Sequence, residues 1–331
     1  MSTEKTMADA FTELWLEIRD ICVETQIEGP HTGQGSLLYH YTNAAGLIGI
    51  LTRRCIWATN LSYVNDPQEL THGHHYCVEV LKSLSTSPAF VMPYVFETAI
   101  QQLDTGRKAI QDQMAACLST ESDLLSQWRA YSDSGKGFSI GFDAERILQI
   151  LVHRRLKSGM DTIPIFTPLR LIYEDDKKFS LLTRIAECVN RHRETLQAGR
   201  PTAAPAIEVE TVLGHYLALG YWFASMSFKK NGFQEEAEVR LVVSNLIELD
   251  GAKVKIPVKA RVGRNGDLVT YYEIGLGEKD DELPPVKRIY VGPAMDFERE
   301  KSGLLAFLHT LGYVDATMPE ILPSRTTLTP Y

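Results

Sequence analysis

The order of strand-like and helix-like segments predicts an α+β fold with a mixed sheet and inserted helices. Short apolar runs typical of strands occur early, as at residues 37–41. The last third returns to strand patterning, since residues 236–244 alternate apolar and polar side chains with a two-residue period. Long stretches of helical periodicity lie between these two groups. Strands at both ends with helices between them are typical of mixed α+β proteins and not of alternating βαβ units.

Composition indicates a globular protein of moderate acidity. The chain has 331 residues, of which 44% are hydrophobic, so it can bury a large core. Its 42 acidic side chains outnumber the 34 basic ones, and the net charge of −8 disfavours extended binding to nucleic acid. A channel for a single strand stays compatible with this charge.

Three further features bear on location and on metal binding. The longest near-continuous apolar run, at 217–228, is shorter than the roughly 20 residues that a membrane-spanning helix needs. The first residues lack the apolar core of a secretion signal. The five cysteines are odd in number and share no close spacing, which disfavours both a disulfide scaffold and a thiolate metal site. We therefore expect a cytoplasmic protein with no membrane contact and no metal.

The first half of the chain is predicted to run as helix, strand, helix and strand. Residues 8–26 place apolar side chains at three- and four-residue spacing, which predicts an amphipathic helix. Asp66 and Pro67 form a typical helix start, with Asp66 as the cap. Strands are predicted at 37–41, 55–59, 116–119 and 138–142, and helices at 44–52, 66–82, 93–115, 124–131 and after Asp143.

The second half is predicted to contain two helices and then mainly strands. A Pro- and Ala-rich break at 199–206 divides the helical stretch at 175–228, and Asn265-Gly266 is the strongest hairpin signal in the chain. Strands are predicted at 236–244, 253–262, 268–274 and 286–291, with a last helix at 297–311.

These segments predict an N-terminal helix within residues 1–30 and a single large α+β domain over residues 36–331. The helices around 175–228 form an insertion in that domain. The sequence shows no internal repeat and no low-complexity tract.

Several common catalytic motifs are missing. The sequence has no GxGxxG after a strand, no phosphate-binding GxxxxGK[ST], no HExxH, no GxSxG and no CxxC. His72 and His75 share a helix face, but a solvated turn explains them better than a metal site. The chemistry must therefore be sought in less standard segments.

Two early segments are candidates for a site. His40 lies near the end of a strand that runs into a helix N-terminus, where an imidazole can hydrogen-bond a ligand hydroxyl. A histidine satisfied by a neighbouring carbonyl is an equal alternative. Tyr63, on a loop before a helix, offers an aromatic surface for stacking.

Two later segments add charge. In the run 126–131, Trp128 and Tyr131 share helical spacing, and Arg129 then points elsewhere and can hold a phosphate or carboxylate. If a strand begins near Glu236, then Glu236, Glu238 and Arg240 lie on one face of it. An ion pair between Arg240 and one glutamate would leave the other glutamate to face a substrate, and we favour Glu238 for the pair; a solvated edge strand is the equal alternative.

Taken together, these segments resemble a widespread bacterial family of proteins of unknown function, domain-of-unknown-function family 2971. The resemblance covers nearly the whole chain after residue 36. It is carried by YHYT at 39–42, the Trp, Asn-Asp-Pro and Glu residues within 57–69, WRAY at 128–131 followed by GKGFSIGF at 135–142, EAEVR at 236–240 and IYVGP at 289–293.

More distantly, the layout resembles the ADP-ribosyltransferase superfamily of the His-Tyr-Glu type. That resemblance implies a split mixed sheet with inserted helices, and NAD as a substrate. Carried over, it implies an NAD site formed by His40, Tyr41, Thr42 and Arg129, nicotinamide stacking on Tyr63 or else Tyr131, and catalysis by Glu236 or Glu238 with His40.

The resemblance implies an ADP-ribosyltransferase or NAD glycohydrolase, which passes ADP-ribose to a protein, to single-stranded nucleic acid or to water. It also implies a role as a bacterial toxin or anti-phage effector, with a protein regulator as a partner. Two alternatives stay open: a non-catalytic nucleotide sensor, and an enzyme that processes nucleic-acid ends on a related fold.

Overall fold

The computed structural model divides the chain into two compact units, which we describe separately. The helical unit comprises Met1–Glu28, Val64–Asp112 and Leu169–Phe233, and the sheet unit comprises Gly29–Tyr63, Gln113–Pro168 and Gln234–Tyr331. The structure describes residues 7–27, 35–63, 69–105, 113–157, 165–198, 206–244, 257–263 and 266–327.

Helices and strands are numbered in chain order over these residues. The helices are α1 (Met7–Ile27), α2 (Ala44–Arg53), α3 (Glu69–Ser85), α4 (Pro93–Thr105), α5 (Leu125–Tyr131), α6 (Ala144–Lys157), α7 (Asp175–Ala198), α8 (Ala206–Ser225) and α9 (Phe297–Thr310). The strands are β1 (Leu37–Asn43), β2 (Cys55–Asn60), β3 (Met114–Ser119), β4 (Gly137–Asp143), β5 (Ile165–Arg170), β6 (Glu238–Ser244), β7 (Lys259–Val262), β8 (Leu268–Gly275), β9 (Val286–Val291) and β10 (Glu320–Pro323).

In the helical unit, α4 packs against α8, and α7 packs against both α1 and α8. The approach of α4 to α8 depends on Gly214, because a Cβ atom there would lie 2.5 Å from Thr98 Cβ. On α1, Leu14 and Ile18 are fully buried, as the spacing of its apolar residues predicts. The unit is therefore a helix bundle with its own apolar core.

In the sheet unit, the strands form one mixed sheet in the order β10-β9-β4-β1-β3-β2-β8-β7, and β6 pairs with β3 and with β5. The β9–β10 pair is parallel, whereas β1 and β4, β3 and β6, and β2 and β8 are antiparallel pairs. Strand β3 is the central one: β6 follows one edge along its whole length, and β1 and β2 share the other edge.

The two faces of this sheet differ in character. One face is apolar and is buried beneath α2, α6 and α9, with Leu38, Ile140 and Leu241 among its residues. The opposite face carries a smaller aromatic cluster of Tyr39, Tyr41, Trp128 and Tyr290, in which Trp128 belongs to α5. The fold is thus a mixed α/β structure with a mixed open sheet, as predicted at the level of class.

Most predicted elements are confirmed, including both helices of the 175–228 stretch. Two predictions were wrong, and two strands were not predicted. Strand β6 begins at Glu238 and not near Glu236, Met114 and Ala115 lie in a strand and not in a helix, and the strands β5 and β10 were not predicted. The Asp66-Pro67 helix start, Asn265 and the segment 253–256 lie outside the described residues. Among the described helices, none is long and apolar enough to cross a membrane.

Candidate functional site

A gap separates β1 from β2 along their shared edge of β3. Strand β1 pairs with β3 only at Tyr39 and Ser119, and β2 pairs with it only at its other end, where Thr59 lies opposite Ala115 and Asn60 opposite Met114. Over the described residues, Ala116–Leu118 therefore has no strand partner on this edge. The gap is the feature around which the candidate site is arranged.

His40 lies at this gap. Its Nδ1 atom is 2.9 Å from the carbonyl oxygen of Cys117, in the unpaired stretch of β3. Desolvation by burial lowers the pKa of His40 below its ordinary value, and the hydrogen bond to Cys117 opposes this only in part. The imidazole is therefore neutral at pH 7. Because a carbonyl only accepts hydrogen bonds, the proton is assigned to Nδ1, which leaves Nε2 as an acceptor.

Strand register places polar side chains of neighbouring strands in rows on the sheet face opposite the apolar core. Residues opposite one another in an antiparallel pair point to the same face. Tyr39 lies opposite Ser119, and Ser119 lies opposite Glu238 on the next strand. Cys117 lies opposite Arg240, two positions further on. His40 lies opposite Ile140 and alternates with Tyr39, so its side chain leaves β1 on the apolar face and reaches the Cys117 carbonyl from that side. The Glu238–Arg240 pair therefore lies on the other face of the sheet, one strand beyond that carbonyl.

Arg240 and Glu238 form a buried ion pair. Arg240 Nε donates to Glu238 Oε1 at 2.7 Å, and Nη2 donates to Oε2 at 3.3 Å. Only 6% of Glu238 and 2% of Arg240 are exposed. Both carboxylate oxygens of Glu238 thus accept from one guanidinium in a fork-like geometry, which holds the carboxylate in place.

Glu236 does not lie on the face of β6. It is the last residue of a 3-10 turn, Asn231–Glu236, and Ala237 follows with a φ of 46°. Ser119 Oγ donates to the Glu236 carbonyl oxygen at 2.8 Å, and the Thr120 amide donates to the Ala237 carbonyl oxygen at 3.0 Å. The left-handed residue therefore redirects the chain before β6, and the partly exposed Glu236 leaves the row of Glu238 and Arg240.

Tyr41 belongs to the aromatic cluster and supports the loop before α5. Its hydroxyl donates to the Glu121 carbonyl oxygen and accepts from the Leu124 amide, both at 2.9 Å. Its ring meets Trp128 edge to face, with centroids 5.0 Å apart. Trp128 in turn donates from Nε1 to Asp123 at 2.7 Å. The Tyr41 side chain thus fixes the position of α5 against β1.

The other predicted site residues are dispersed within the sheet unit. Thr42 is buried against the first turn of α2, where its Oγ1 occupies the space that a Cβ on Gly46 would need. Tyr131 packs beside the aromatic cluster, Arg129 is exposed on α5, and Tyr63 is 47% exposed in the 3-10 turn after β2. Of the predicted set, the structure brings Glu238 and Arg240 together on one face of the sheet, whereas the His40 side chain leaves β1 on the other face.

A second aromatic group, which the sequence did not predict, lies on strands β2 and β8. The Trp57 ring packs against Tyr271 with centroids 4.4 Å apart, and the guanidinium carbons of Arg53 and Arg261 lie 5.5 and 5.8 Å from the Trp57 centroid. Arg261 Nε is buried and has no hydrogen-bond partner among the described residues. Register places Trp57 on the same sheet face as Glu238, through Thr59, Ala115 and Val242.

Of this second group, only Trp57 belongs to a motif that carries the family resemblance. Arg261 and Tyr271 come from strands about 200 residues further along the chain. Only the pairing of β2 with β8 and of β8 with β7 brings the three together. The Asn265-Gly266 turn signal predicts the pairing of β7 with β8, which the structure confirms, but no signal in the single sequence specifies the pairing of β8 with β2.

A protein-family model matches a segment of the chain that includes part of this site. Residues 127–241 match the model of DUF2971, a protein family of unknown function. The DUF2971 segment contains Arg129, Tyr131 and the Glu238–Arg240 pair, whereas His40 and Trp57 lie before it. No curated protein and no solved structure matches the chain.

Proposed function

We propose that the sheet unit binds NAD at the gap between β1 and β2, cleaves the bond to nicotinamide, and transfers ADP-ribose to a macromolecule or to water. The observation that carries the proposal is the position of His40 at this gap, where the ring is neutral and its Nδ1 atom is bonded to the Cys117 carbonyl oxygen. A split sheet with a histidine on its first strand and a glutamate on a late strand is the arrangement that the ADP-ribosyltransferase resemblance implies.

His40 is proposed to hold the adenosine-side ribose. Its Nδ1 atom is engaged by the Cys117 carbonyl oxygen, so the ring is oriented before a ligand arrives. The Nε2 atom then accepts a hydrogen bond from a ribose hydroxyl, which a neutral imidazole can do and an imidazolium cannot. Thr42, buried against α2, supports the strand and does not contact the nucleotide in this proposal.

Glu236 is proposed as the catalytic carboxylate. Loss of nicotinamide develops positive charge on the ribose, and a nearby carboxylate stabilises that charge, as in glycoside cleavage. Glu238 is less suited to this role because both of its oxygens accept from Arg240. Glu236 is partly exposed, and the left-handed Ala237 holds it off the strand face.

The contacts proposed for the nicotinamide and the diphosphate of NAD are assigned from the exposure and charge of the side chains. Tyr63, which presents about half of its surface, is proposed to stack on nicotinamide in preference to the partly buried Tyr131. The guanidinium groups of Arg53 and Arg261 beside Trp57 supply positive charge for the diphosphate.

Nicotinamide release from NAD by the purified full chain tests this function. Glu236→Gln should reduce the rate by about 100-fold or more, because it removes a charge that acts in the transition state. Glu235→Gln is the matched control, since Glu235 is an exposed residue of the same 3-10 turn and should keep the wild-type rate. Release by Glu236→Gln at the wild-type rate would show that Glu236 is not the catalytic carboxylate.

The Glu238–Arg240 pair also supports a second candidate function, that of a nucleotide sensor. Both carboxylate oxygens of Glu238 are neutralised in the pair, so the strand itself offers no reactive group. Calorimetric binding of NAD without any release of nicotinamide would favour the sensor. If the protein neither binds NAD nor releases nicotinamide from it, both functions are excluded.

A further inference from the structure

A cluster of three metal-ligating side chains lies in the helical unit, where α1 packs against α7. Cys188 and His192 are four residues apart on α7 and therefore share one face of that helix. Glu17 faces them from α1. One potential ligand atom from each residue lies within 4.8 Å of the other two.

The geometry of the three groups is close to that of a metal site. His192 Nε2 lies 2.9 Å from Glu17 Oε2. Cys188 is fully buried, and the side chains of His192 and Glu17 are 17% and 42% exposed. Donors held about 2.0–2.3 Å from one tetrahedral ion lie about 3.3–3.8 Å from one another. Small side-chain shifts would therefore suffice to bind an ion between them.

We propose that Glu17, Cys188 and His192 bind a divalent transition-metal ion, preferably Zn²⁺, with a fourth position open to water. A thiolate, an imidazole and a carboxylate together are the donors that zinc accepts, and thiolate disfavours magnesium and calcium. The partial exposure of Glu17 and His192 provides an entry path from solvent. This inference is independent of the function proposed for the sheet unit.

Arg191 provides the outer support that such a site requires. Its guanidinium pairs with Glu17 Oε1, so that Oε2 stays directed toward His192. Although desolvation raises the pKa of Glu17, hydrogen bonds from His192 and Arg191 lower it overall, and the carboxylate is charged at neutral pH. Outer groups of this kind orient a ligand and tune its affinity.

Binding requires the loss of one proton. Burial, as the largest cause, raises the pKa of the Cys188 thiol to about 12, so the sulfur carries its hydrogen when no metal is present. The ion forms a bond to sulfur as the S–H bond breaks, and that proton leaves to solvent. The ion also replaces the Nε2 proton that His192 donates to Glu17, and the neutral ring takes up a proton on Nδ1 by exchange with solvent. One proton is released for each ion bound, with no change of oxidation state.

The alternative to a metal site is a polar contact between α1 and α7 that holds no ion. Two titrations of the chelator-treated full chain distinguish these interpretations. Zn²⁺ is titrated against a chromophoric chelator, and Co²⁺ is titrated to observe the sulfur-to-cobalt charge-transfer band in the ultraviolet. The wild-type protein should bind one ion per chain and show the band. Cys188→Ser should lose the band, and His192→Gln should bind zinc at least 10-fold more weakly.

Cys77→Ser serves as the matched control, because Cys77 is another fully buried thiol of the helical unit. Its hydroxyl can keep the bond that the thiol donates to the Tyr221 carbonyl oxygen, and the variant should bind cobalt as the wild-type protein does. Arg191→Gln should weaken zinc binding by about 10- to 100-fold while keeping the band. Absence of the band from the wild-type protein, or its persistence in Cys188→Ser, would overturn the proposal.

Discussion

The His40 imidazole is bonded to the backbone of Cys117, a residue 77 positions further along the chain, where the β1–β2 edge of β3 has no partner strand among the described residues. A side chain thus takes the place of the strand amide that would otherwise satisfy this carbonyl. The same bond fixes the tautomer of the ring and leaves Nε2 available as an acceptor. A structural contact and the proposed ligand contact are therefore combined in one residue.

His40→Asn separates these two roles. The asparagine amide can donate to the Cys117 carbonyl oxygen from nearly the position of Nδ1, but it has no atom in the position of Nε2. We expect a folded protein whose affinity for NAD, measured by calorimetry, falls about 5- to 10-fold, which is the value of one hydrogen bond. His40→Ala, which also leaves the carbonyl without this donor, should lose stability as well. Unchanged affinity in His40→Asn would remove His40 from the proposed site.

The lowered pKa of His40 predicts a loss of stability in acid. Since the folded state resists protonation of this ring, the unfolded state binds more protons once the pH falls below the ordinary value of 6.5. The free energy of unfolding should therefore decrease as the pH drops below 6.5, until the pH reaches the lowered pKa of the folded state. Chemical denaturation at several pH values should show a smaller decrease for His40→Asn than for the wild-type protein.

Loss of one partner of the Glu238–Arg240 pair should be severe. Glu238→Gln removes the carboxylate charge that pairs with the buried guanidinium of Arg240, and breaking a buried ion pair costs about 3–5 kcal/mol. Glu236→Gln, at a partly exposed residue two positions earlier, should change the free energy of unfolding by less than about 1 kcal/mol. Urea denaturation of the two variants measures the difference. Similar stability of both variants would show that the pair contributes little.

The sequence was sufficient to predict the strands and helices near His40, because their periodicity and turn residues are local signals. It was also sufficient to propose the pairing of Glu238 with Arg240, since residues two apart on a strand share a face. Where β6 begins was misjudged by two residues, because no pattern marks Ala237 as left-handed. Because of this error, Glu236 was predicted to lie on the same strand face as Glu238 and Arg240.

Contacts between segments that lie far apart in the chain could not be predicted from the sequence. The gap between β1 and β2 exists because each pairs with a different end of β3, and that register is set by tertiary packing. In the same way, the spacing of the cysteines did not indicate the proposed metal site, since Glu17 reaches Cys188 and His192 only through the packing of α1 on α7. A spacing pattern reveals a metal site whose ligands lie close together in the sequence. It does not reveal a site whose ligands come from two separate helices.

Ala237 is the residue whose replacement should separate backbone strain from side-chain chemistry. With a φ of 46°, it holds a conformation that disfavours branched side chains, so Ala237→Val should lower the free energy of unfolding by about 1–2 kcal/mol. Ala237→Gly should be neutral or slightly stabilising, because glycine adopts this conformation without strain. Ala260→Val, on the exposed part of β7, is the control and should be neutral. If Glu236 is the catalytic carboxylate, nicotinamide release should fall in Ala237→Val and persist in Ala237→Gly; equal rates in both variants would show that the kink does not position Glu236.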